Sequence, residues 1–146
     1  MSRDQFRLLR RVIHLCDNNN KKFDDKFFKV RRFMQNLQTN LKENYYPEQN
    51  NSIDEDIIAC RSRVSMIQFL PLKPKRFGFR IWKIVDEGGV CHDFDIYQGK
   101  NSVERKEKAF NPLGEEVVID LIKNLSNNNN HVIYIDNYFT SIELVK

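Results

Sequence analysis

Residues 79–97 read FRIWKIVDEGGVCHDFDIY, and they carry the strongest fold signal in the chain. Two apolar runs, Phe79 to Val85 and Val90 to Tyr97, have the composition of β-strands. Between them, Asp86-Glu87-Gly88-Gly89 supplies the glycines that a tight turn requires. The stretch therefore predicts an antiparallel β-hairpin.

The segments on either side of this hairpin predict the rest of a sheet. Ser52 to Cys60 is a candidate first strand, and Met66 to Leu70 is a second extended piece that prolines terminate. After Gly114, apolar residues recur at helical spacing, Val132 to Ile135 is a short buried strand, and Ser141 caps a last helix. A helical crossover followed by a strand that returns beside the first one predicts a mixed sheet, because a parallel crossover needs only about a dozen residues.

The N-terminal part of the chain is helical in pattern. Ser2 and Gln5 have the spacing of a capping box, and apolar residues at helical spacing continue the first helix to near Asp17. After a polar break, Asp24 or Asp25 can cap a second helix, and the short connection predicts that the two helices pack antiparallel. The predicted fold class is α+β, with a helical segment at residues 1–50 and a mixed α/β sheet domain at residues 51–146.

Composition narrows the class of protein. With 146 residues, 40% hydrophobic and 30% charged, the chain can form one ordinary folded domain. No apolar run reaches about 18 residues and no apolar leader follows Met1, so we expect an intracellular protein without a membrane partner. The odd number of cysteines and their lack of paired spacing predict buried free thiols rather than a disulfide framework or a zinc site.

Basic residues are concentrated between the first strand and the middle of the hairpin. Residues 61–83 contain no aspartate or glutamate, so the segment carries a positive field for which phosphate is the natural counterpart. The alternative interpretation is a solvated basic face without a partner. The candidate nucleic-acid-binding residues are Arg61, Arg63, Lys73, Lys75, Arg76, Arg80 and Lys83.

Two aspartates lie in or after apolar strand-like runs, Asp54 in Ser52 to Cys60 and Asp136 after Val132 to Ile135. If the two strands are neighbours, the carboxylates can flank divalent metal ions, which are held by a few carboxylate oxygens together with substrate phosphates. This is the chemistry of enzymes that cut and join phosphodiesters without a protein nucleophile. The alternative is that both carboxylates bond only to backbone or solvent at strand ends.

Several segments resemble piggyBac-type transposases and the host proteins derived from them, in the same order along nearly the whole chain. The most specific is Asp136-Asn137-Tyr138-Phe139-Thr140-Ser141. The others are Met1 to His14, Tyr46-Pro47 leading to Ser52-Ile53-Asp54-Glu55, Lys73-Pro74 with Phe77-Gly78, Tyr97 to Lys100, and Leu113 to Val118. One departure is Ser62, which stands where the family has a glycine.

The resemblance implies a ribonuclease-H-like catalytic core with three metal-binding aspartates, preceded by a helical segment of a DNA-binding or dimerisation type. Asp54 matches the first aspartate and Asp136 the second, both as catalytic residues and as ligands of Mg²⁺ or Mn²⁺. The third belongs to a later segment that this chain does not reach, so we expect a partial, inactive catalytic domain. The implied partner is DNA, at transposon terminal repeats, in the nucleus, with a possible homodimer and no small-molecule substrate.

Two functional hypotheses follow. In the first, the chain is a DNA-directed domain derived from a Mg²⁺-dependent cleavage and strand-transfer enzyme. In the second, it is a non-enzymatic DNA-binding or interaction module of a domesticated or decayed transposon copy, which uses the basic segment while the carboxylates are relics. Dependence of DNA binding on Mg²⁺ and on Asp136 distinguishes the two.

Overall fold

The computed structural model describes residues 1–19, 25–71, 73–99, 113–125 and 130–145. Asp24, the expected loop at Asn101 to Lys108 and most of the asparagine run at 127–130 lie outside these ranges. The helices are α1 (Arg3–Val12), α2 (Phe28–Asn44), α3 (Leu113–Ile122) and α4 (Ile142–Val145). The strands are β1 (Asn50–Ala59), β2 (Gln68–Phe69), β3 (Phe77–Asp86), β4 (Cys91–Ile96) and β5 (Val132–Ile135).

The strands form the predicted mixed sheet in the order β2-β3-β1-β5. β3 pairs antiparallel with β1 along nearly its full length, while β2 and β4 pair with opposite halves of its other edge. β5 returns parallel to β1 after α3, as the crossover pattern predicts. The expected hairpin is β3 and β4, and its turn places Gly89 at φ +81°, a conformation that glycine adopts without strain.

A hydrophobic core lies on each face of the sheet, because alternate residues of β1 and β3 point to opposite sides. On one face α3 packs over Ile53, Trp82 and Ile84, which are almost fully buried. On the other face α2 packs over Ile81 and Ile96. The sheet is therefore sandwiched between one helix from before it in sequence and one from the crossover.

Helix α2 is anchored to the edge of the sheet rather than to the first helix. The Gln38 side-chain amide donates to the Phe94 carbonyl and to the Asp93 carboxylate, each at 2.8 Å. Its start differs from the prediction by about one turn, because Asp25 caps the preceding turn, where its carboxylate accepts from the Phe27 N–H at 2.9 Å. The division of the chain at residue 50 stays a prediction, and α2, on its N-terminal side, contributes to the core of the sheet.

Helix α1 is shorter than predicted and no residue in it is buried. Its capping box is present, with Ser2 and Gln5 bonded reciprocally. The helix nevertheless ends at Val12 rather than near Asp17, since a short helix depends on tertiary packing for its stability. Its apolar side, including Phe6 and Leu9, is about half exposed, so the predicted antiparallel packing against α2 is not observed.

None of the helices within the described ranges is long and apolar enough to cross a lipid bilayer. The three cysteines, Cys16, Cys60 and Cys91, are free thiols as predicted, but they are of intermediate exposure and not buried.

A polar network that the sequence did not predict joins α2 to the hairpin. The Asp86 carboxylate accepts hydrogen bonds from the Tyr45 hydroxyl and, at 3.0 Å, from the Val90 N–H. Burial by itself would raise the pKa of Asp86, but these bonds, with a third from the Glu48 N–H, outweigh it and lower the pKa. The same contact raises the pKa of Tyr45 to about 12.

We expect this network to make stability depend on pH in the acid range. The lowered pKa of Asp86 contributes stability that is present above the unfolded-state value of about 3.9 and is lost as the pH falls through the folded value. The difference in free energy of unfolding between wild type and Asp86→Asn should therefore shrink as the pH falls from about 5 to about 2. Urea denaturation at several pH values measures it, and a constant difference would contradict the assignment.

Candidate metal and nucleic-acid site

The strand register brings the two candidate carboxylates to adjacent positions. In the parallel pair of β1 and β5, Ile53 is the partner of Ile135. Asp54 and Asp136 are the next residue in each segment, so they follow at the same height on neighbouring segments, which in a sheet lie about 4.8 Å apart. Both isoleucines pack against the core under α3, whereas both aspartates are exposed. The backbone therefore places the two aspartates on adjacent segments of the chain.

Asp54 is an exposed residue of β1 and lies beside a cation. One of its oxygens accepts from the Glu55 N–H at 2.7 Å, and the other lies 3.7 Å from the Lys73 Nζ. The same Lys73 Nζ donates to the Glu55 carbonyl at 3.1 Å. Lys73, one of the predicted DNA-binding residues, is thus held next to the first candidate carboxylate.

Asp136 begins a tight turn that its own atoms organise. Its Oδ1 accepts from the Tyr138 N–H at 2.9 Å, and its carbonyl accepts from the Thr140 hydroxyl at 3.0 Å. Phe139 is buried in the core under α3, with an exposed fraction of 1%. The second carboxylate oxygen of Asp136 takes no part in these hydrogen bonds. This oxygen is therefore available to a cation.

The N-terminus of α3 holds the far side of this turn. Glu115, although buried, accepts a hydrogen bond from the Ser141 hydroxyl at 2.6 Å, and the same hydroxyl oxygen caps α4 by accepting from the Leu144 N–H. A Cβ at Gly114 would stand 2.5 Å from the Tyr138 carbonyl oxygen. Glycine at 114 therefore allows the helix and the Asp136 turn to approach each other this closely.

The substitution Gly114→Ala tests that contact, because the sign of the change in the free energy of unfolding depends on it. In a helix without a tight neighbour, alanine is favoured over glycine by about 1 kcal/mol. Here the clash with the backbone of Tyr138 should reverse the sign and destabilise the fold by about 1–3 kcal/mol. Urea denaturation of the two proteins measures the difference, and a more stable variant would mean that the turn does not pack on α3 as described.

Arg80 holds the turn from the sheet side. Its guanidinium carbon lies 4.9 Å from the Tyr138 ring centroid and 5.3 Å from that of Trp82. Its NH2 group donates to a Glu55 carboxylate oxygen at 3.2 Å. The side chain is only 16% exposed, so within this arrangement Arg80 supports Tyr138 and the Asp136 turn rather than facing solvent.

The predicted basic residues divide into two groups. Lys73, Arg80 and Lys83 are paired with carboxylates of β1, and Lys83 donates to Asp56 at 2.7 Å. The remaining side chains are exposed and form no ion pair with another described residue. This second group, which we call the exposed basic set, consists of Arg61, Arg63, Lys75 and Arg76.

The donor set at Asp54 and Asp136 fits part of a divalent-metal site. Both groups offer hard carboxylate oxygens, and Mg²⁺ is commonly bound by one or two carboxylates together with substrate phosphates. Among the residues that the structure describes, no cluster of three or more histidine, cysteine, aspartate or glutamate residues is placed to hold a metal. The assignment of the two aspartates as ligands stays a prediction.

A family profile described as Transposase IS4 matches residues 1–146. The chain belongs to this transposase family. It is 30% identical to the human PiggyBac transposable element-derived protein 3 over 148 residues, covering 99% of this chain and 24% of that protein. It is 28% identical to the human PiggyBac transposable element-derived protein 2 over 145 residues, covering 98% of this chain and 24% of that protein.

The fold of this transposase-family chain also matches a solved structure. It superposes with a TM-score of 0.87 on a piggyBac transposase whose structure is that of a synaptic complex with hairpin DNA. The identity is 29%, and the match covers 99% of this chain and 30% of that one. The predicted resemblance to piggyBac-type transposases and the mixed α/β fold are confirmed, while the chain spans about a quarter of the length of the human proteins above.

Sequence reasoning missed the residues that support the site of this transposase-family domain. Glu115 and Gly114 were noted only as part of a resemblance, and the stack of Arg80 on Tyr138 was not foreseen. The sequence did offer one signal, because Glu115 is an acidic residue at the start of an apolar helix. An acidic side chain in such a position is buried only when it has a hydrogen-bonding or charged partner. Ser141 is the partner of Glu115, but only the fold brings residues 26 positions apart into contact.

Proposed function

We propose that the chain is the DNA-directed part of a transposase catalytic core in which Asp54 and Asp136 bind a divalent metal, Mg²⁺ or Mn²⁺. The observation that supports this best is the parallel register of β1 and β5, which pairs Ile53 with Ile135 and makes Asp54 and Asp136 the next residues of adjacent segments. A nuclear location and recognition of transposon terminal-repeat DNA belong to the same proposal. The neighbouring solved complex, which contains hairpin DNA, favours DNA over other phosphate-bearing partners.

Each group has a distinct task in this proposal. A bound Mg²⁺ would polarise a phosphodiester and lower the pKa of a coordinated hydroxyl group. Asp54 and Asp136 hold the ion, and Lys73, 3.7 Å from Asp54, is close enough to share a DNA phosphate with it. The exposed basic set binds phosphates farther along the DNA, where cations bound to the polyanion are released. Arg80 and Glu115 keep the Asp136 turn in place.

The DNA-binding part of the proposal is tested with a charge-matched pair of variants. Lys75→Ala/Arg76→Ala removes two cations of the exposed basic set, and Lys29→Ala/Arg32→Ala removes two exposed cations of α2. If phosphates contact Lys75 and Arg76, the first variant should lower the slope of log affinity against log salt by roughly 2, because each phosphate contact contributes about 0.9. The α2 variant should leave the slope nearly unchanged.

Fluorescence anisotropy with labelled duplex DNA at several salt concentrations gives both slopes. An equal loss in the two variants would mean that only the overall charge matters and would remove the assigned surface. Binding by neither wild type nor variants at low salt would overturn the proposal as a whole.

The metal-dependent part separates the enzyme-derived domain from a plain binding module. We expect Mg²⁺ to strengthen DNA binding by wild type and not by Asp136→Asn. We also expect no robust strand cleavage by residues 1–146 alone, because two carboxylates neutralise and position the metal poorly. Mg²⁺-independent binding that ignores Asp136→Asn would favour the non-enzymatic module instead, and efficient cleavage abolished by Asp54→Ala would contradict the expected inactivity.

A further inference from the structure

Two phenylalanines form an exposed aromatic pair at the edge of the sheet. Phe69 of β2 and Phe77 of β3 are register partners, with ring centroids 4.7 Å apart and planes tilted by 34°. Their exposed fractions are 54% and 55%. Neither ring belongs to either hydrophobic core of the fold, so the pair is an apolar feature of the surface.

The backbone under this pair is held by hydrogen bonds and by close packing of the strands. The Cys60 N–H donates to the Phe77 carbonyl at 3.3 Å, and the Leu70 N–H donates to the Arg76 carbonyl at 2.9 Å. At Gly78 a Cβ would stand 2.2 Å from the Ile58 carbonyl oxygen, so β1 and β3 are in close contact directly behind Phe77. The rings are consequently presented by a strand edge that is paired to the rest of the sheet.

An open cavity adjoins the pair, and exposed cations flank the two phenylalanines in the sequence. The cavity, of about 370 Å³, is lined by Cys60, Arg61, Ser62, Ile67 and Phe77. Lys75 and Arg76 immediately precede Phe77 and are exposed, as are Arg61 and Arg63. Because residues 61–83 contain no acidic residue, the surface combines aromatic faces with positive charge and has no carboxylate of its own segment to oppose an anion.

We propose that this surface, the Phe69–Phe77 platform, binds an unpaired nucleobase of DNA, with the flanking phosphates on the exposed basic set. Stacking on an aromatic ring holds a base without regard to sequence, and cations that track the backbone complete a site for non-duplex nucleic acid. In a paired duplex the faces of the bases are covered by their neighbours. The platform therefore selects DNA segments that are open, bulged or looped.

This inference rests on the proposed DNA binding and adds the kind of DNA segment that is recognised. The exposed basic set by itself would bind duplex and looped DNA alike, because phosphate contacts carry no information about base pairing. The preference for unpaired bases comes from the two rings alone. The two contributions can be separated by removing either the rings or the charges.

The test compares two DNAs and three proteins. One DNA is a hairpin with 2-aminopurine in its loop, and the other is a fully paired duplex of equal length. The proteins are wild type, Phe69→Leu/Phe77→Leu, which keeps apolar side chains on the strands, and Tyr46→Leu. Tyr46 is an 85% exposed aromatic located just before β1, near the end of β3 opposite to Phe77, and serves as the matched control.

We expect the double leucine variant to lose about tenfold or more in affinity for the hairpin and to bind the duplex as wild type does, since each stacked base contributes strongly to such complexes. The 2-aminopurine emission should be quenched on binding to wild type and to Tyr46→Leu, and not on binding to the double variant. Thermal unfolding checks that the double variant remains folded, as expected for two exposed side chains.

Three outcomes would overturn the inference. Equal hairpin affinity in wild type and Phe69→Leu/Phe77→Leu would exclude the platform while leaving the proposed DNA binding intact. A parallel loss on hairpin and duplex would mean that the rings act only through the local fold. Failure of wild type to bind either DNA would remove the proposed function together with this inference.

Discussion

Replacing Trp82 with alanine should bring the chain close to global unfolding. Trp82 is fully buried at the centre of β3, where it packs against the core under α3 and edge-on against Tyr97 at 5.8 Å. Truncating a buried tryptophan to alanine removes the transfer free energy of the ring and leaves a cavity, at a cost of about 3–5 kcal/mol. A domain of this size typically has only about 5–15 kcal/mol of stability in total.

The substitution of Trp82 should have a second consequence, because the Trp82 ring also lies under the Arg80 guanidinium. Its loss should loosen the support of Tyr138 and hence of the Asp136 turn. Urea denaturation followed by far-ultraviolet circular dichroism measures the change, since Trp82 is the only tryptophan and fluorescence would vanish with it. Tyr46→Ala, at an exposed position, should change stability by less than about 0.5 kcal/mol. A Trp82→Ala protein as stable as this control would contradict the described core.

The second large effect is expected on metal binding. Asp54→Asn or Asp136→Asn removes one of two adjacent charges and keeps the shape of the side chain. Because each carboxylate attracts the ion by several kcal/mol near a protein surface, either change should weaken Mn²⁺ binding by roughly a hundredfold. Asp56→Asn, an exposed residue of the same strand bonded to Lys83, should have a small effect and is the matched control.

The same substitutions should act in the opposite direction on the metal-free fold. Like charges on neighbouring strands oppose folding, so Asp54→Asn and Asp136→Asn should leave stability unchanged or raise it slightly without metal. A pair of variants that lose both stability and metal affinity would indicate that the carboxylates are structural. Isothermal titration with Mn²⁺ and urea denaturation of the metal-free proteins provide the two measurements.

Much of the sheet could be predicted because its signals are local. The glycines after Asp86 fix the hairpin turn, and the β-branched run at Val132 to Ile135 gives β5 with the bounds that the structure shows. The parallel pairing of β5 with β1 followed from the helical crossover, because few topologies are compatible with a hairpin, a helix and a returning strand. The adjacent placement of Asp54 and Asp136 follows from that pairing alone.

The parts that were not predicted depend on contacts between distant segments. The end of α1 at Val12 was missed because periodicity indicates an apolar face but not whether a partner covers it. The Tyr45–Asp86 contact joins residues 41 positions apart, and nothing in either local sequence indicates it. Likewise, the positive charges of residues 61–83 appeared equivalent in the sequence, whereas the structure pairs Lys73, Arg80 and Lys83 with carboxylates of β1 and leaves others exposed.

A second acidic cluster is an alternative place for a cation, so the position of the bound metal decides between the two. Glu48 and Glu87 lie together beside Asp86, and their mutual hydrogen bond, with burial and the charge of Glu87, raises the pKa of Glu48. The Asn50 amide donates to Glu87 at 2.8 Å, and Asp86 accepts from Tyr45, Glu48 and Val90, so protein donors already occupy much of this cluster. A cation should therefore prefer the Asp54–Asp136 pair.

Mn²⁺-induced broadening of backbone amide signals in the NMR spectrum of the full chain tests this account most directly. At substoichiometric Mn²⁺ we expect the strongest broadening at Asp54, Glu55 and the turn that begins at Asp136, and we expect it to disappear in Asp136→Asn. Broadening centred on Glu48 and Glu87, or spread evenly over all acidic residues, would contradict the claim that β1 and β5 together form a metal site.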